Sequence, residues 1–230
     1  MDIKTIVLLN IFLFDTLASG FSQFVIQPNY ALKSHETLEI SKVEITPERT
    51  LFFLSIENRI EGGTFCADRN IWLIDSDGQR TKLEKASGIP VCPESYQFKS
   101  IGEKLQFTLV FPPLKTGTRW VDLIEDCTEN CFSFYGVTLN AGLNTKINEA
   151  LSLAESGRKS SALVLYKNIL ESLDASDKGI KGALYNDIIT LSLETGDKTG
   201  AREWYKKMLL SDVPRLELYV KNLNSRGIKY

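Results

Sequence analysis

The sequence predicts a chain of two parts, an antiparallel β-sandwich followed by α-helical hairpins. Two observations carry this prediction. Before Asn140, short β-rich runs alternate with turn signals, and after it apolar residues recur with the period of an α-helix. A third observation, an even number of cysteines that all lie before Asn140, indicates an oxidising compartment. The predicted segments are 1–22, 23–140 and 141–230.

The first segment has the pattern of a signal peptide. Lys4 precedes an apolar run at 6–14, nine residues with one polar interruption, which is too short to span a bilayer. Small residues follow at Ala18, Ser19, Gly20 and Ser22. Cleavage after Ser22 is favoured over cleavage after Gly20, and a buried N-terminal strand or helix is the alternative to a signal peptide. We expect an exported protein, in the periplasm or at the cell surface, without a transmembrane anchor once the signal is removed.

The charge balance argues against nucleic acid as a partner. The sequence has 27 basic and 29 acidic side chains. Removal of Lys4, Asp2 and Asp15 with the signal peptide leaves 26 and 27, a net charge of about −1. Nucleic-acid binding needs clustered Lys and Arg, which a nearly neutral chain does not suggest.

The cysteines predict disulfides. Cys66, Cys92, Cys127 and Cys131 allow three pairings, of which Cys66–Cys92 together with Cys127–Cys131 is favoured. A zinc site is the alternative, but only one pair has a short spacing, Cys-x3-Cys, and no second pair stands at metal-binding spacing.

The strands of segment 23–140 are predicted in turn. Asp77-Gly78 between two β-rich runs signals a hairpin, and Pro112-Pro113 ends a long apolar strand. About eight strands in about 115 residues favour a sandwich of immunoglobulin-like size. The predicted strands are 38–40, 43–45, 51–56, 71–74, 80–83, 105–111, 120–124 and 132–139.

Segment 141–230 shows an internal repeat. Gly157, Ala162 and Tyr166 recur 39 residues later as Gly196, Ala201 and Tyr205. This Gly-x4-Ala-x3-Tyr pattern resembles the tetratricopeptide repeat (TPR), whose usual period is 34 residues. About five additional residues, near 172–177, therefore lie between the two hairpins. Pro214 begins a last helix that we expect to act as a cap.

The resemblance implies a concave, peptide-binding groove lined by the first helix of each hairpin. Its matching positions in this sequence are Asn144, Ile147, Leu151, Glu155, Ala183, Asn186, Thr190 and Glu194. The segment 112–125, with Cys127, Cys131 and 136–139, also resembles uncharacterised secreted bacterial β-sandwich proteins. That resemblance implies no catalytic residues.

The sequence contains few residues in patterns typical of catalysis. His35 is the only histidine, in a polar loop, and neither a P-loop nor a dinucleotide-binding motif is present. Asp75 and Asp77 could begin a calcium loop, but Ser87 stands where its terminal Glu is needed, so a turn is favoured. Glu125, Asp126 and Glu129 are interpreted as a solvated acidic rim, with a carboxylate hydrolase as the weakest alternative.

Trp120 is the aromatic residue most open to interpretation. It shares a strand face with Asp122, and it would either bind a ligand such as a sugar or, as favoured here, pack against the helical segment. We predict a non-enzymatic interaction protein that binds a protein partner and needs no cofactor. A glycan-binding module of the cell envelope is the alternative.

Overall fold

The computed structural model describes residues 22–230, so the predicted signal peptide lies outside the described residues apart from Ser22. Twelve strands precede the first α-helix in this part of the chain. In chain order they are β1 (Gln23–Ile26), β2 (Leu32–Lys33), β3 (Leu38–Ile45), β4 (Thr50–Glu57), β5 (Thr64–Phe65), β6 (Ile71–Asp75), β7 (Arg80–Lys82), β8 (Lys85–Ser87), β9 (Tyr96–Gln97), β10 (Lys104–Phe111), β11 (Trp120–Glu125) and β12 (Ser133–Thr138).

The strands form two five-stranded antiparallel sheets and a two-stranded ribbon. The first sheet has the order β1-β3-β4-β10-β8 and the second has the order β2-β12-β11-β6-β7, while β5 pairs with β9. Inward side chains of both sheets, among them Phe52, Leu109, Leu73 and Phe134, belong to one hydrophobic core. The outward face of the second sheet is the one that meets the helices.

Most predicted strands agree with the structure. The two short predicted strands at 38–40 and 43–45 are one strand, β3, whose pairing with β4 shifts register between Ile40 and Lys42. The β6–β7 hairpin closes across Gly78, which has a positive φ of 79°. Five short strands, β1, β2, β5, β8 and β9, were not predicted. Each has two to four residues, too few to show an alternating pattern.

Both predicted disulfides are confirmed. Cys66 is bonded to Cys92 and Cys127 to Cys131. The first joins the loop after β5 to the loop before β9, where the Ala67 and Cys92 amides donate to the carbonyls of Pro90 and Ala67. The second closes the short connection between β11 and β12.

Five α-helices follow the strands. They are α1 (Ala141–Glu155), α2 (Lys159–Glu171), α3 (Lys181–Glu194), α4 (Lys198–Leu209) and α5 (Leu216–Ser225), with a 3₁₀ helix at Ala175–Ile180. The Asn140 side chain accepts a hydrogen bond from the Leu143 amide and so caps α1 at its start. Gly157 and Gly196, with φ of 80° and 85°, make the turns between α1 and α2 and between α3 and α4.

A hydrophobic core of the helical half is formed by the apolar faces of all five helices, including Ala162, Tyr166, Ile188 and Tyr205. None of the helices within residues 22–230 combines the length and the apolar character needed to cross a membrane. The two cores consist of different residues, and the apolar side chains of Ala31 and Leu32 from the β half pack against the helical core.

The 3₁₀ helix makes the closest contact between the strands and the helices. Gly136 of β12 has a positive φ of 61°, and a Cβ there would lie closer than 3.0 Å to the Gly179 backbone. A Cβ on Gly179 would similarly overlap the Trp120 ring. The two glycines allow the 3₁₀ helix to lie directly on the second sheet.

Candidate functional site

The first half of the predicted concave groove is occupied by the β half of the same chain. Asn144 is buried, and its side-chain oxygen accepts from the Asn29 amide at 2.7 Å while its NH₂ donates to the Ile26 carbonyl at 3.0 Å. Ile147 is buried in the helical core. Leu151, 43% exposed, and Glu155 face solvent. Asn144 therefore has its hydrogen bonds filled and is not free for a peptide.

The second half of the predicted groove lies against α5. A Cβ on Gly182 would overlap the Tyr219 ring of α5, and Arg226, just after α5, donates to the Thr190 hydroxyl at 3.2 Å. Ala183, Asn186 and Thr190 are half-buried. Glu194 is exposed and pairs with Lys159 at 3.2 Å. The structure does not bring the eight predicted positions together as one open groove, because a loop of the β half and α5 each contact part of it.

Trp120 lies in the contact between the two halves. Its side chain is 6% exposed and packs against Gly179. A sugar has no exposed ring face to stack on at this position. The interpretation favoured from the sequence, packing against the helical segment, describes the position of Trp120.

The predicted acidic rim also needs correction at one residue. Glu125 is buried, and its two carboxylate oxygens accept from the amides of Asp68 at 2.7 Å and Phe132 at 3.0 Å. Burial is the main cause that raises the pKa of Glu125, against the lowering effect of these two amides. Asp126 and Glu129 are exposed. The Glu125 carboxylate holds two loops together and is not directed toward a cleft.

The other polar residues singled out by the sequence have structural roles. The Asp75 carboxylate accepts from the amides of Asp77 and Gln79, both at 2.9 Å, and so fixes the β6–β7 turn. His35 contacts the Ser34 hydroxyl at 2.9 Å, but that hydroxyl accepts from the Ser133 amide at 2.8 Å. Among residues 22–230, no three His, Cys, Asp or Glu side chains are grouped so as to hold a metal ion.

An open groove lies instead where the second sheet meets α5. We call it the junction groove; it has a volume of about 450 Å³. Its lining residues are Leu32, Lys33, Ser34, Ser133, Tyr135, Leu218, Lys221, Asn222 and Ser225. They come from segments far apart in sequence, so only the fold assembles them.

The floor of the junction groove is the outward face of β2 and β12. Tyr135 stands opposite Leu32 in the antiparallel pairing, and Ser133 lies two residues earlier on the same face of β12. The Ser34 hydroxyl is fixed beside Ser133 by the hydrogen bond from the Ser133 amide. The floor therefore offers an apolar half, Leu32 and Tyr135, and a hydroxyl-bearing half.

The wall of the junction groove is one face of α5. Leu218, Lys221, Asn222 and Ser225 are spaced i, i+3, i+4 and i+7, and so project from the same side of the helix. This side lies away from Tyr219 and Leu223, which enter the helical core. Leu218 is 38% exposed, an unusual position for a leucine on the solvent side of a helix.

Arg215 fixes the start of this wall relative to the floor. It precedes α5 in a left-handed conformation with φ of 57°, and its guanidinium lies 4.2 Å from the centre of the Tyr135 ring. The same guanidinium forms an ion pair with Asp122, which is buried in the sheet and also accepts from the Gly136 amide at 2.8 Å. Burial raises the pKa of Asp122, and the Gly136 amide and Arg215 oppose that shift.

No family model matches the chain, and no curated protein and no solved structure is found to be similar to it. The geometry of the junction groove is therefore the basis for an assignment of function.

The sequence contained two weak signals for the junction groove. Leu218 falls outside the apolar stripe that Leu216, Tyr219 and Leu223 form on the last helix. Tyr135 is an aromatic residue in a strand that ends at a helical segment. Neither signal could indicate that the two residues line one groove, because they are 83 positions apart, from 135 to 218.

Proposed function

We propose that the protein is an exported, non-enzymatic interaction protein that binds an extended segment of a protein partner in the junction groove. Two disulfides within the described residues are typical of an oxidising compartment, which supports export to the periplasm or the cell surface. The largely half-buried strand surface of the floor and the exposed face of α5 come from different parts of the chain and converge at this groove, and this observation carries the proposal.

The lining of the junction groove fits a peptide chain. Side chains of an extended segment pack on the apolar surface of Leu32, Tyr135 and Leu218. The Asn222 amide and the Ser225 hydroxyl donate to and accept from peptide groups of the partner. The wall from Leu218 to Ser225 is about 10 Å long, which matches about three residues of an extended strand.

For this function we propose an architecture in which each half of the chain resembles a known fold. The strands form an immunoglobulin-like sandwich, supported by their antiparallel order and shared core. The helices form two TPR-like hairpins with α5 as the capping helix, supported by the repeated Gly, Ala and Tyr positions. In this arrangement α5 covers part of the concave surface and also provides a new binding wall.

The test is affinity capture from a cell-envelope extract, with the unaltered protein and the Asn222→Arg variant as baits. The substitution places a long charged side chain in the junction groove. We expect a partner that the unaltered protein captures to be lost, by at least about tenfold in yield, because the arginine fills the space of the bound segment. Capture from an extract is followed by measurement of the affinity of the purified partner by calorimetry.

Asn168→Arg is the matched control. Asn168 is an exposed asparagine on α2, outside the groove, so the same substitution there should leave the affinity unchanged. Equal affinity of the Asn222→Arg variant and the unaltered protein for the purified partner would refute the proposed site. Failure to capture any partner would count against the proposed function itself.

A further inference from the structure

Helix α4 divides sharply into a buried and an exposed side. Ala201, Trp204, Tyr205 and Met208 belong to the helical core. Among its remaining residues, Lys198, Arg202, Lys206, Lys207 and Leu209 are all exposed. The exposed side is thus mostly basic and ends in leucine.

The four basic side chains of α4, Lys198, Arg202, Lys206 and Lys207, are called the α4 basic face. Lys198, Arg202 and Lys206 follow one another at intervals of four residues, which places them in a row along the helix. Within residues 22–230, none of the four forms an ion pair, whereas nine other pairs are present. Glu203 is the single acidic residue of α4.

The neighbouring helix α2 adds to this surface. Lys167 of α2 lies 5.7 Å from the centre of the Trp204 ring, and Lys207 lies 4.0 Å from it. Lys167 also lacks a carboxylate partner among the described ion pairs. Five basic side chains therefore lie on or beside the exposed side of α4, in a protein whose net charge is −2.

Two exposed leucines lie at the end of the α4 basic face. Leu209 ends α4 and is 42% exposed, and Leu210, the next residue, is 89% exposed. An acidic polymer in solution would attract the basic side chains but would leave the two leucines in water. At a lipid surface, by contrast, basic side chains pair with headgroups while apolar side chains enter the acyl boundary.

We propose that the α4 basic face, with Leu209 and Leu210, docks the protein on a membrane surface that contains anionic phospholipids. The partner is a lipid surface and not a protein, so this inference is independent of the junction groove. Docking through α4 uses side chains that are already exposed, so it requires no rearrangement of the fold.

The test is co-sedimentation of the protein, as purified after export, with vesicles of phosphatidylglycerol and phosphatidylcholine or of phosphatidylcholine alone. We expect binding only to the anionic vesicles, weakened by 0.5 M salt because salt screens exposed charges. The variant K198E/R202E/K206E/K207E should bind at least roughly a hundredfold more weakly, as each basic residue near an anionic surface adds to affinity. The variant L209S/L210S should bind about tenfold more weakly.

The control variant is K85E/K99E, which reverses two exposed lysines of the β half. Neither lysine takes part in an ion pair with the residues from 22 onward, and the variant should bind as the unaltered protein does. Absence of binding to anionic vesicles, or equal loss in the control, would overturn the proposal. Strong binding to polyglutamate together with unchanged vesicle binding of L209S/L210S would also overturn it, in favour of an acidic polymer. Circular dichroism of each variant verifies that it is folded.

Discussion

Asp187 illustrates how a single side chain responds to the packing of α5. It lies on α3, beside the Asn186 amide, and is half-buried. Tyr166 of α2 and Tyr219 of α5 lie close enough for the Asp187 charge to raise the pKa of each hydroxyl, in addition to the larger effect of burial. The charge of the nearby Arg226 favours the ionised form of the Asp187 carboxyl and so opposes part of the effect of burial.

Burial raises the pKa of Asp187 from 3.8 to about 6. Between these values the folded protein binds more protons than the unfolded chain, so the free energy of unfolding falls as pH rises from 4 to 6. We expect Asp187→Asn to remove this dependence and to stabilise the protein at pH 7 by about 1–2 kcal/mol, after allowance for partial solvent contact. Urea unfolding of both proteins at several pH values measures the free energy of unfolding. A steeper fall of this free energy with pH in the variant than in the unaltered protein would contradict the prediction.

The environment of Glu125 differs from the one that its sequence neighbours predicted. In the sequence it is the first of three acidic positions beside a short cysteine loop, which is typical of a solvated rim. In the structure it accepts from two backbone amides, one of them 57 positions earlier in the chain. Such a partner is brought near by folding alone, so the pattern of neighbours in sequence gave the wrong environment.

At the scale of elements, the two disulfides close loops of very different size. Cys66 and Cys92 are separated by 26 positions and Cys127 and Cys131 by 4. A cross-link stabilises a fold mainly because it restricts the unfolded chain, and the restriction grows with the length of the closed loop. The Cys66–Cys92 bond should therefore contribute more.

We expect Cys66→Ala/Cys92→Ala to lower the free energy of unfolding by about 3.5 kcal/mol and Cys127→Ala/Cys131→Ala by about 2 kcal/mol, from the loop-entropy relation. Guanidinium unfolding without reductant measures both. The second variant is the control for removal of a cystine as such. A larger loss in the second variant would show that native contacts, and not loop closure, set the order.

The connection between α2 and α3 has a structural role at the same scale. This connection contains the 3₁₀ helix Ala175–Ile180. Asp177 of this helix is buried and pairs with Arg119 at 2.5 Å, and its carboxylate also accepts from Asn140 at 3.0 Å. The 3₁₀ helix therefore joins the helices to the second sheet, in addition to the ion pair of Arg215 with Asp122.

For the whole molecule, the joint between the halves depends on close backbone approach at Gly179. We expect Gly179→Ala to separate the Trp120 ring from the 3₁₀ helix, because the new methyl group would overlap the ring. Stability should fall by about 2–3 kcal/mol, and Trp120 should become accessible. Thermal unfolding and acrylamide quenching of tryptophan fluorescence measure the two effects.

Gly142→Ala is the control for this prediction. Gly142 lies in the first turn of α1, where a Cβ would meet only the Asn140 side-chain oxygen, at 3.6 Å. The substitution should be neutral or stabilising by about 0.5–1 kcal/mol, because alanine favours helix more than glycine does. Equal effects of the two substitutions would mean that the approach at Gly179 is not what joins the halves.

The sequence by itself determined the order of the longer strands and the helices and the positions of the hairpin turns, because each depends on local periodicity or on turn residues. The count of cysteines left three disulfide pairings open, of which the observed one was favoured. The tertiary structure decided which surfaces remained open. Asn144 was predicted as a groove residue and is hydrogen-bonded within the chain, and Trp120 packs against the helical segment as favoured from the sequence, whereas Tyr135 and Leu218 face a groove together. Whether a side chain is covered depends on residues distant in sequence, and the packing of the two halves, not local pattern, sets that outcome.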